Sequence, residues 1–233
     1  MAFTSLTRYE MQAVLARALR DPSSSVFAPA TLNDFINQAM SDLSAYRPKE
    51  AREVIAWPLP TDVPFFDDFT SIWKVEVRIV ADPNAYIRTM LIPYGDSSDS
   101  GGNRAGWDFY GGTLYLPPFW LTRIGAAAAN QIAEVWVWGY QDHDLPDDDN
   151  DVLDLVDVTD YNCVLNHCKS LGFELLNHDR ALYQQWLAAT NNTDVSATQL
   201  SGMSSLAEGT FQRLRARNTK MRRVPSGDYL AVH

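Results

Sequence analysis

The hydrophobic pattern divides the chain into helical ends and a strand-rich centre. Apolar residues recur at helical spacing over residues 4–19 and 31–47, and Thr31 is expected to cap the second of these helices. Over residues 72–80 the apolar residues alternate with charged ones, which is typical of a half-buried strand. Further strands are predicted at residues 54–57, 86–92, 113–116 and 132–140.

The strand at residues 132–140 differs from the others because apolar residues occupy both of its faces. One face carries Trp136, Trp138 and Tyr140, and the other carries Ala133, Val135 and Val137. Such a strand belongs in the interior of a sheet, where it is covered on both sides by the fold or by a neighbouring subunit.

Two more helices are predicted after this strand. A long one covers residues 161–187, with Asp157 and Asp160 at its positive end. The last begins at Ser196, because Gln199 three residues later completes a capping-box pattern.

This order of elements predicts an α+β fold. A helical bundle is formed from both chain ends, with an inserted antiparallel β block and an extended basic C-terminal tail. The predicted parts are a helical domain at 1–51 and 153–218, a β-rich insertion at 52–141, an acidic connector at 142–152 and a tail at 219–233.

Charge is distributed unevenly over the 233 residues, whose net charge is −10. Residues 209–233 carry +5, and the remaining 208 carry −15. Nine Asp and no Lys or Arg lie between Asp142 and Asp160. The acidic body argues against general affinity for nucleic acid, and the basic end predicts docking on an acidic neighbour.

Two sets of residues are therefore candidate functional sites. Docking on another protein or subunit is assigned to Arg213, Arg215, Arg217, Lys220, Arg222 and Arg223. An acidic channel or surface is assigned to Asp142, Asp144, Asp147, Asp148, Asp149 and Asp151.

Two patterns that could carry chemistry do not hold up. The segment 99–102 resembles a serine-protease nucleophile loop, but the first His is His143, whereas in that family the His base precedes the Ser. A calcium loop starting at Asp147 lacks the Gly and Glu that its sixth and twelfth positions require. We predict no catalytic site and no cofactor, so the chain is predicted not to be an enzyme.

A zinc site is the remaining candidate, from Cys163, His167, Cys168 and His178. Cys163 and Cys168 are five apart on a predicted helix and point about 140° away from each other, so neither a disulfide nor a tetrahedral site is favoured. Synthesis in the reducing cytosol is expected, since the first 21 residues show no secretory pattern. No membrane-spanning run of apolar residues occurs in the sequence.

Three segments together resemble the head-tail adaptor (connector or neck) proteins of tailed bacteriophages. They are the helix TLNDFINQAMSDLS from Thr31, the segment WDFYGGTLYLPP from Trp107, and the strand EVWVWGY from Glu134 with the acidic stretch and helix that follow it. The likeness covers most of the chain and lies in order and pattern. The β block is larger than in the shorter members of that group.

The resemblance implies a structural virion protein at the head-tail interface, assembled in the host cytoplasm. It implies a homo-oligomeric ring of about twelve subunits. Such a ring docks on the portal protein, continues the DNA channel without sequence recognition, and provides the platform for tail or nozzle proteins. No membrane partner is expected.

Two alternatives stay open. The first is a tail or fibre-attachment module that binds a partner through its β block. The second is a hydrolase using the acidic cluster between Asp142 and Asp151, which requires a concave pocket there.

Overall fold

The computed structural model describes residues 6–59, 62–64, 68–80, 87–92, 94, 106–128, 132–190 and 195–218. The chain is α+β, as predicted. The helices in the described part are α1 (Arg8–Ala18), α2 (Pro29–Tyr46), α3 (Pro118–Ala128), α4 (Val158–His178), α5 (Arg180–Thr190) and α6 (Ala197–Asn218). The strands are β1 (Lys49–Ala56), β2 (Asp62–Pro64), β3 (Phe69–Val80), β4 (Ile87–Ile92), β5 (Asp108–Tyr110), β6 (Thr113–Tyr115) and β7 (Ile132–Gln141).

The chain forms two compact units. The helical unit contains the described residues of Met1–Pro48 and His143–Lys220, and the β unit contains those of Lys49–Asp142. Each unit has its own hydrophobic core.

The core of the helical unit is built from the apolar stripe of α2 and the facing sides of α1, α4, α5 and α6. Its fully buried members include Leu15, Leu19, Leu32, Ile36, Met40, Val164, Cys168 and Trp186. The stripe on α2 is the one that the sequence pattern predicted. Helices from the start and the end of the chain thus share one core.

The beginning of α2 differs from the prediction. Thr31 does not cap this helix, which begins two residues earlier at Pro29 after Ala28 at the N-cap position. Proline suits the first helical position because its missing N–H would have no partner there. The capping-box pattern at the start of α6 is confirmed, since Ser196 and Gln199 each accept a hydrogen bond from the other's backbone N–H.

The predicted helix at 161–187 is two helices, so that prediction is wrong. The chain is extended at Asp179, which ends α4. The Asp179 carboxylate then accepts the N–H groups of Ala181 and Leu182, both at 2.9 Å, and so caps α5. The apolar spacing continues through the break, which is why the pattern did not reveal it.

The β unit contains a four-stranded antiparallel sheet in the order β1-β7-β3-β4 and a three-stranded sheet in the order β2-β6-β5. β7 is therefore an interior strand, between β1 and β3. The core face of the large sheet is formed by alternate residues of β3 and β7: Val75, Val77, Ile79, Ala133, Val135 and Val137. Helix α3 was not predicted, because Pro117 and Pro118 indicate the end of a strand as well as the start of a helix.

Gly139 of β7 lies where β3 bulges. A β-carbon there would be 2.1 Å from Cδ1 of the Phe69 ring and 2.6 Å from the backbone oxygen of Ser71, so the strands would have to move apart. We expect Gly139→Ala to lower the free energy of unfolding by about 1–3 kcal/mol. Urea denaturation followed by circular dichroism measures this.

Gly202→Ala is the matched control for this substitution. Gly202 lies in α6, and a β-carbon there meets no atom within 4 Å. The control should raise stability by about 0.5–1 kcal/mol, because alanine is the better helix former. Equal effects of the two substitutions would contradict the crowding at Gly139.

Candidate functional surfaces

The acidic connector, residues 142–152, is held in place by the first helix. Arg8 places its Nε 3.0 Å from Asp149 Oδ1 and donates from Nη1 to the Pro146 oxygen at 2.7 Å and from Nη2 to the Asp147 oxygen at 2.8 Å. Gln12 Nε2 also donates to Asp149 Oδ1, at 2.9 Å. A buried arginine thus fastens one side of the connector to α1.

The other aspartates of the connector order its own backbone or face solvent. Asp151 Oδ2 accepts the N–H groups of Asp147 at 2.9 Å and Asp148 at 2.8 Å. These backbone hydrogen bonds hold the pKa of Asp151 below its ordinary value. The exposed side chains are Asp142, Asp144, Asp147, Asp148 and Asp151, whereas Asp149 is half-buried against Arg8.

His143 is buried and is the first connector residue that belongs to the helical unit. His143 Nδ1 lies 2.5 Å from the Asp154 oxygen, and Nε2 lies 2.9 Å from the Arg47 oxygen. Carbonyl oxygens only accept, so both contacts are hydrogen bonds only when the ring carries a proton on each nitrogen. The backbone N–H of His143 donates to Ser44 Oγ at 2.9 Å.

A partly buried ion-pair network follows the connector. Arg47 Nη2 lies 2.5 Å from Asp157 Oδ2, and its Nε lies 2.6 Å from Asp160 Oδ1. Burial raises the pKa of Asp160, although Arg47 opposes that shift. At Asp157 burial alone would raise the pKa. The N–H groups of Asp160 and Thr159 and the charge of Arg47 outweigh burial, and they hold the pKa of Asp157 below its ordinary value.

The four residues considered for zinc are dispersed. Cys163 and Cys168 are both buried, and burial raises the pKa of Cys163 to about 11 and that of Cys168 further. His167 Nε2 lies 2.7 Å from Asp42 Oδ2, while His178 is exposed beside Glu174. Within the described ranges, no group of three or more His, Cys, Asp or Glu side chains is arranged to hold a metal ion.

The second face of the large sheet carries stacked aromatic and basic side chains. Trp136 of β7 has the Arg52 guanidinium 3.9 Å and the Arg78 guanidinium 3.5 Å from its ring centroid. Since β1 and β3 flank β7, the two guanidinium groups approach the indole from opposite sides. Lys74 and Arg52 both lie 5.4 Å from the Trp138 ring. We call Arg52, Lys74, Arg78, Trp136 and Trp138 the Arg–Trp face.

The indole N–H groups of this face have acidic partners. Trp136 Nε1 donates to Glu134 at 3.0 Å, and Trp138 Nε1 donates to Glu76 at 2.8 Å. Glu76 is also paired with Lys74 at 2.6 Å. The side of β7 opposite the core is thus half-buried under charged side chains of the adjoining strands. Coverage of this side by a neighbouring subunit stays a prediction.

Only part of the basic chain end lies in the described residues. Arg213 is exposed in α6 and donates to Gly209 and Thr210 of the same helix. The Arg215 guanidinium lies 3.2 Å from the Tyr46 ring centroid, a packing contact inside the helical unit. The side chain of Arg217, and all of Lys220, Arg222 and Arg223, fall outside the described residues, as does the segment 99–102.

Sequence reasoning missed Arg8 and the pairing of Arg52 and Arg78 with Trp136. A signal for the Arg–Trp face was present, because Lys74 and Arg78 alternate with the core residues of their strand. That signal identifies the face only when the register of β1 and β3 against β7 is known. Arg8 gives no such signal, since its partners lie about 140 residues further along the chain.

No protein-family model matches this chain, and no curated protein matches it either. None of the helices in the described ranges is both long enough and apolar enough to cross a membrane.

Proposed function

We propose that this chain is a head-tail adaptor of a tailed bacteriophage. It forms a ring that docks on the portal, continues the DNA channel and provides the platform for tail attachment. In this proposal both chain ends build one helical bundle, the β block is inserted between them, and the basic C-terminal residues extend from the bundle as a tail. Portal protein and tail or nozzle proteins are its partners.

The observation that carries the proposal is the separation of charge along an ordered subunit. Exposed aspartates are held in fixed positions by Arg8 and Asp151, while the last 25 residues carry +5. A net charge of −15 on the rest of the chain disfavours general binding of phosphates, which suits a channel through which DNA must pass. The positive charge of the last 25 residues favours docking on an acidic protein surface.

Removal of residues 219–233 is expected to abolish binding to the cognate portal protein. The cut belongs after Asn218, because Phe211 lies in the helical core and its ring stacks on His167 at 4.3 Å. Truncation further upstream would test folding instead of docking. Co-sedimentation of the purified proteins measures the effect.

Arg20→Ala combined with Arg180→Ala is the control for this truncation. Both residues are exposed, so this variant lowers the positive charge elsewhere on the helical unit. It should bind the portal as the wild type does. Portal binding that survives the truncation would refute the anchoring role of the tail. Negative-stain images of the wild type with portal should show rings or portal-bound collars.

One observation favours a second candidate, a tail or fibre-attachment module. The Arg–Trp face lies on the β unit, and Trp and Arg are enriched where proteins bind each other. Imaging of labelled particles separates the two candidates, since a signal away from the neck contradicts the adaptor. No observation favours a hydrolase, because the Asp147, Asp148 and Asp151 side chains are exposed and Asp151 is engaged by the connector's backbone.

A further inference from the structure

The Arg–Trp face has hydrogen-bonding capacity that the described part of the chain does not use. Arg52 and Arg78 are stacked on the indole of Trp136, and the carboxylates of Glu134 and Glu76 on the same face accept the N–H groups of the two indoles. Nε of Arg78 has no acceptor among the described residues, but it is buried, so a partner can reach only the rest of this half-buried side chain. A guanidinium stacked on an aromatic ring keeps its N–H groups in the plane of the stack, where a carboxylate can bind two of them. The three cations Arg52, Lys74 and Arg78 exceed the two carboxylates of Glu76 and Glu134, so the face favours an acidic partner.

The same face also offers apolar area. Val54 of β1 and Leu91 of β4 are exposed at 45% and 43%, and the register places them on the side of the sheet that carries Trp136 and Glu76. A suitable partner thus combines carboxylates with exposed aliphatic side chains. Central aromatic and arginine residues with an apolar surround are typical of interface hot spots.

The acidic connector has this composition. Exposed Asp147 and Asp148 stand beside Leu145, exposed at 48%, and Val152, exposed at 61%. Arg8 and the carboxylate of Asp151 fix the backbone that carries them, so little ordering entropy is lost on binding. The connector and the Arg–Trp face are thus complementary in charge and in apolar character.

We propose that the acidic connector of one copy of this chain binds the Arg–Trp face of the next copy. The two patches are different surfaces, so the contact is heterologous, and repetition of a heterologous contact closes a ring when the rotation allows. This inference rests on the proposed ring. It assigns the exposed aspartates to an interface between copies and leaves the channel wall to other acidic residues.

Charge exchange between the two patches tests the contact. Arg52→Glu alters the face, and the double variant Asp147→Arg/Asp148→Arg alters the connector. Each should weaken self-association by about tenfold or more, because like charges then meet across the interface. An equimolar mixture of the two should restore assembly, since each altered patch then finds a partner of opposite charge. Sedimentation velocity at several concentrations measures all three.

Two matched controls separate the contact from general charge effects. Arg123 is exposed on α3 and lies 5.2 Å from the ring of the buried Trp120, so Arg123→Glu makes the same charge change beside another Trp of the β unit. Asp34→Arg reverses an exposed aspartate on α2. Both controls should assemble as the wild type does. Circular dichroism of every variant confirms that it is folded.

Several results would overturn the inference. The first is a folded Arg52→Glu variant that assembles as well as the wild type does. The second is a mixture of the two altered proteins that does not assemble. The third is a wild type that stays monomeric while its Arg–Trp face binds a tail protein. Portal co-sedimentation on the same samples keeps the two proposals apart. If the wild type forms rings that bind the portal and Arg52→Glu leaves ring assembly unchanged, this contact alone is refuted. If the wild type does not bind the portal, the proposed adaptor function is refuted.

Discussion

Replacement of Arg47 by alanine is expected to lower the free energy of unfolding by about 3–5 kcal/mol at pH 7. Arg47 is paired with Asp160, whose side chain is 0% exposed, and with Asp157, which caps α4. Loss of the guanidinium leaves a fully buried carboxylate without its positive partner. Urea denaturation monitored by circular dichroism gives the change in free energy.

The pH dependence of this variant identifies the cause. The pKa of Asp160 is already raised by burial in the native protein, and removal of Arg47 raises it further. The folded variant then binds a proton more readily than the unfolded chain does. Its stability therefore rises as the pH falls through the folded pKa of Asp160, and the deficit relative to the wild type shrinks.

Two further variants complete this test. Asp160→Asn in the Arg47→Ala background should recover part of the lost stability at pH 7, because no buried charge remains. Arg17→Ala is the control, since the Arg17 side chain is exposed and donates to Ala13 of its own helix, at 3.0 Å. The control should change stability by less than about 0.5 kcal/mol. A deficit that stays constant with pH would rule out the unpaired carboxylate as its origin.

Trp186→Ala should destabilise the helical unit by about 3–5 kcal/mol. Trp186 is 0% exposed, and its Nε1 donates to the Leu19 oxygen at 2.8 Å, so it joins α5 to the end of α1. Its removal leaves a cavity in the core and an unsatisfied carbonyl. Thermal and urea denaturation both measure the loss.

Trp186→Phe divides this effect into packing and hydrogen bonding. Phenylalanine keeps much of the ring volume but cannot donate to Leu19, so we expect a smaller loss of about 1–3 kcal/mol. Trp138→Phe serves as a comparison in the β unit, where the indole is half-buried. A cost below about 1 kcal/mol for Trp186→Ala would show that α5 is not anchored through this side chain.

The sequence pattern was most informative where one face of an element is buried. The stripe on α2 and the alternation in β3 both correspond to core positions, because hydrophobic burial selects residues at the period of each element. Single residues at the ends of elements were predicted less well. Thr31 and Pro29 both favour a helix start, and the helix begins at Pro29.

The candidate surfaces were less predictable because they depend on long-range pairing. The acidic connector was recognised by composition, but its attachment to Arg8 requires contacts between the first helix and residues far along the chain. The Arg–Trp face requires the register of β1 and β3 against β7. Neither follows from local periodicity. The basic charge of the last 25 residues follows from the sequence alone, whereas their role as a docking tail stays a prediction.

The contacts of Arg8 also bear on the order in which the protein forms during translation. Arg8 and Gln12 leave the ribosome about 140 residues before the connector that they bind. At a synthesis rate of about 5–20 residues per second, several seconds or more pass between the synthesis of the first two helices and the synthesis of the connector and α4. The β unit is synthesised in that interval and contains its own core. The β unit can therefore fold before the helical unit, because α1 and α2 complete their core only after the second half of the protein has been synthesised.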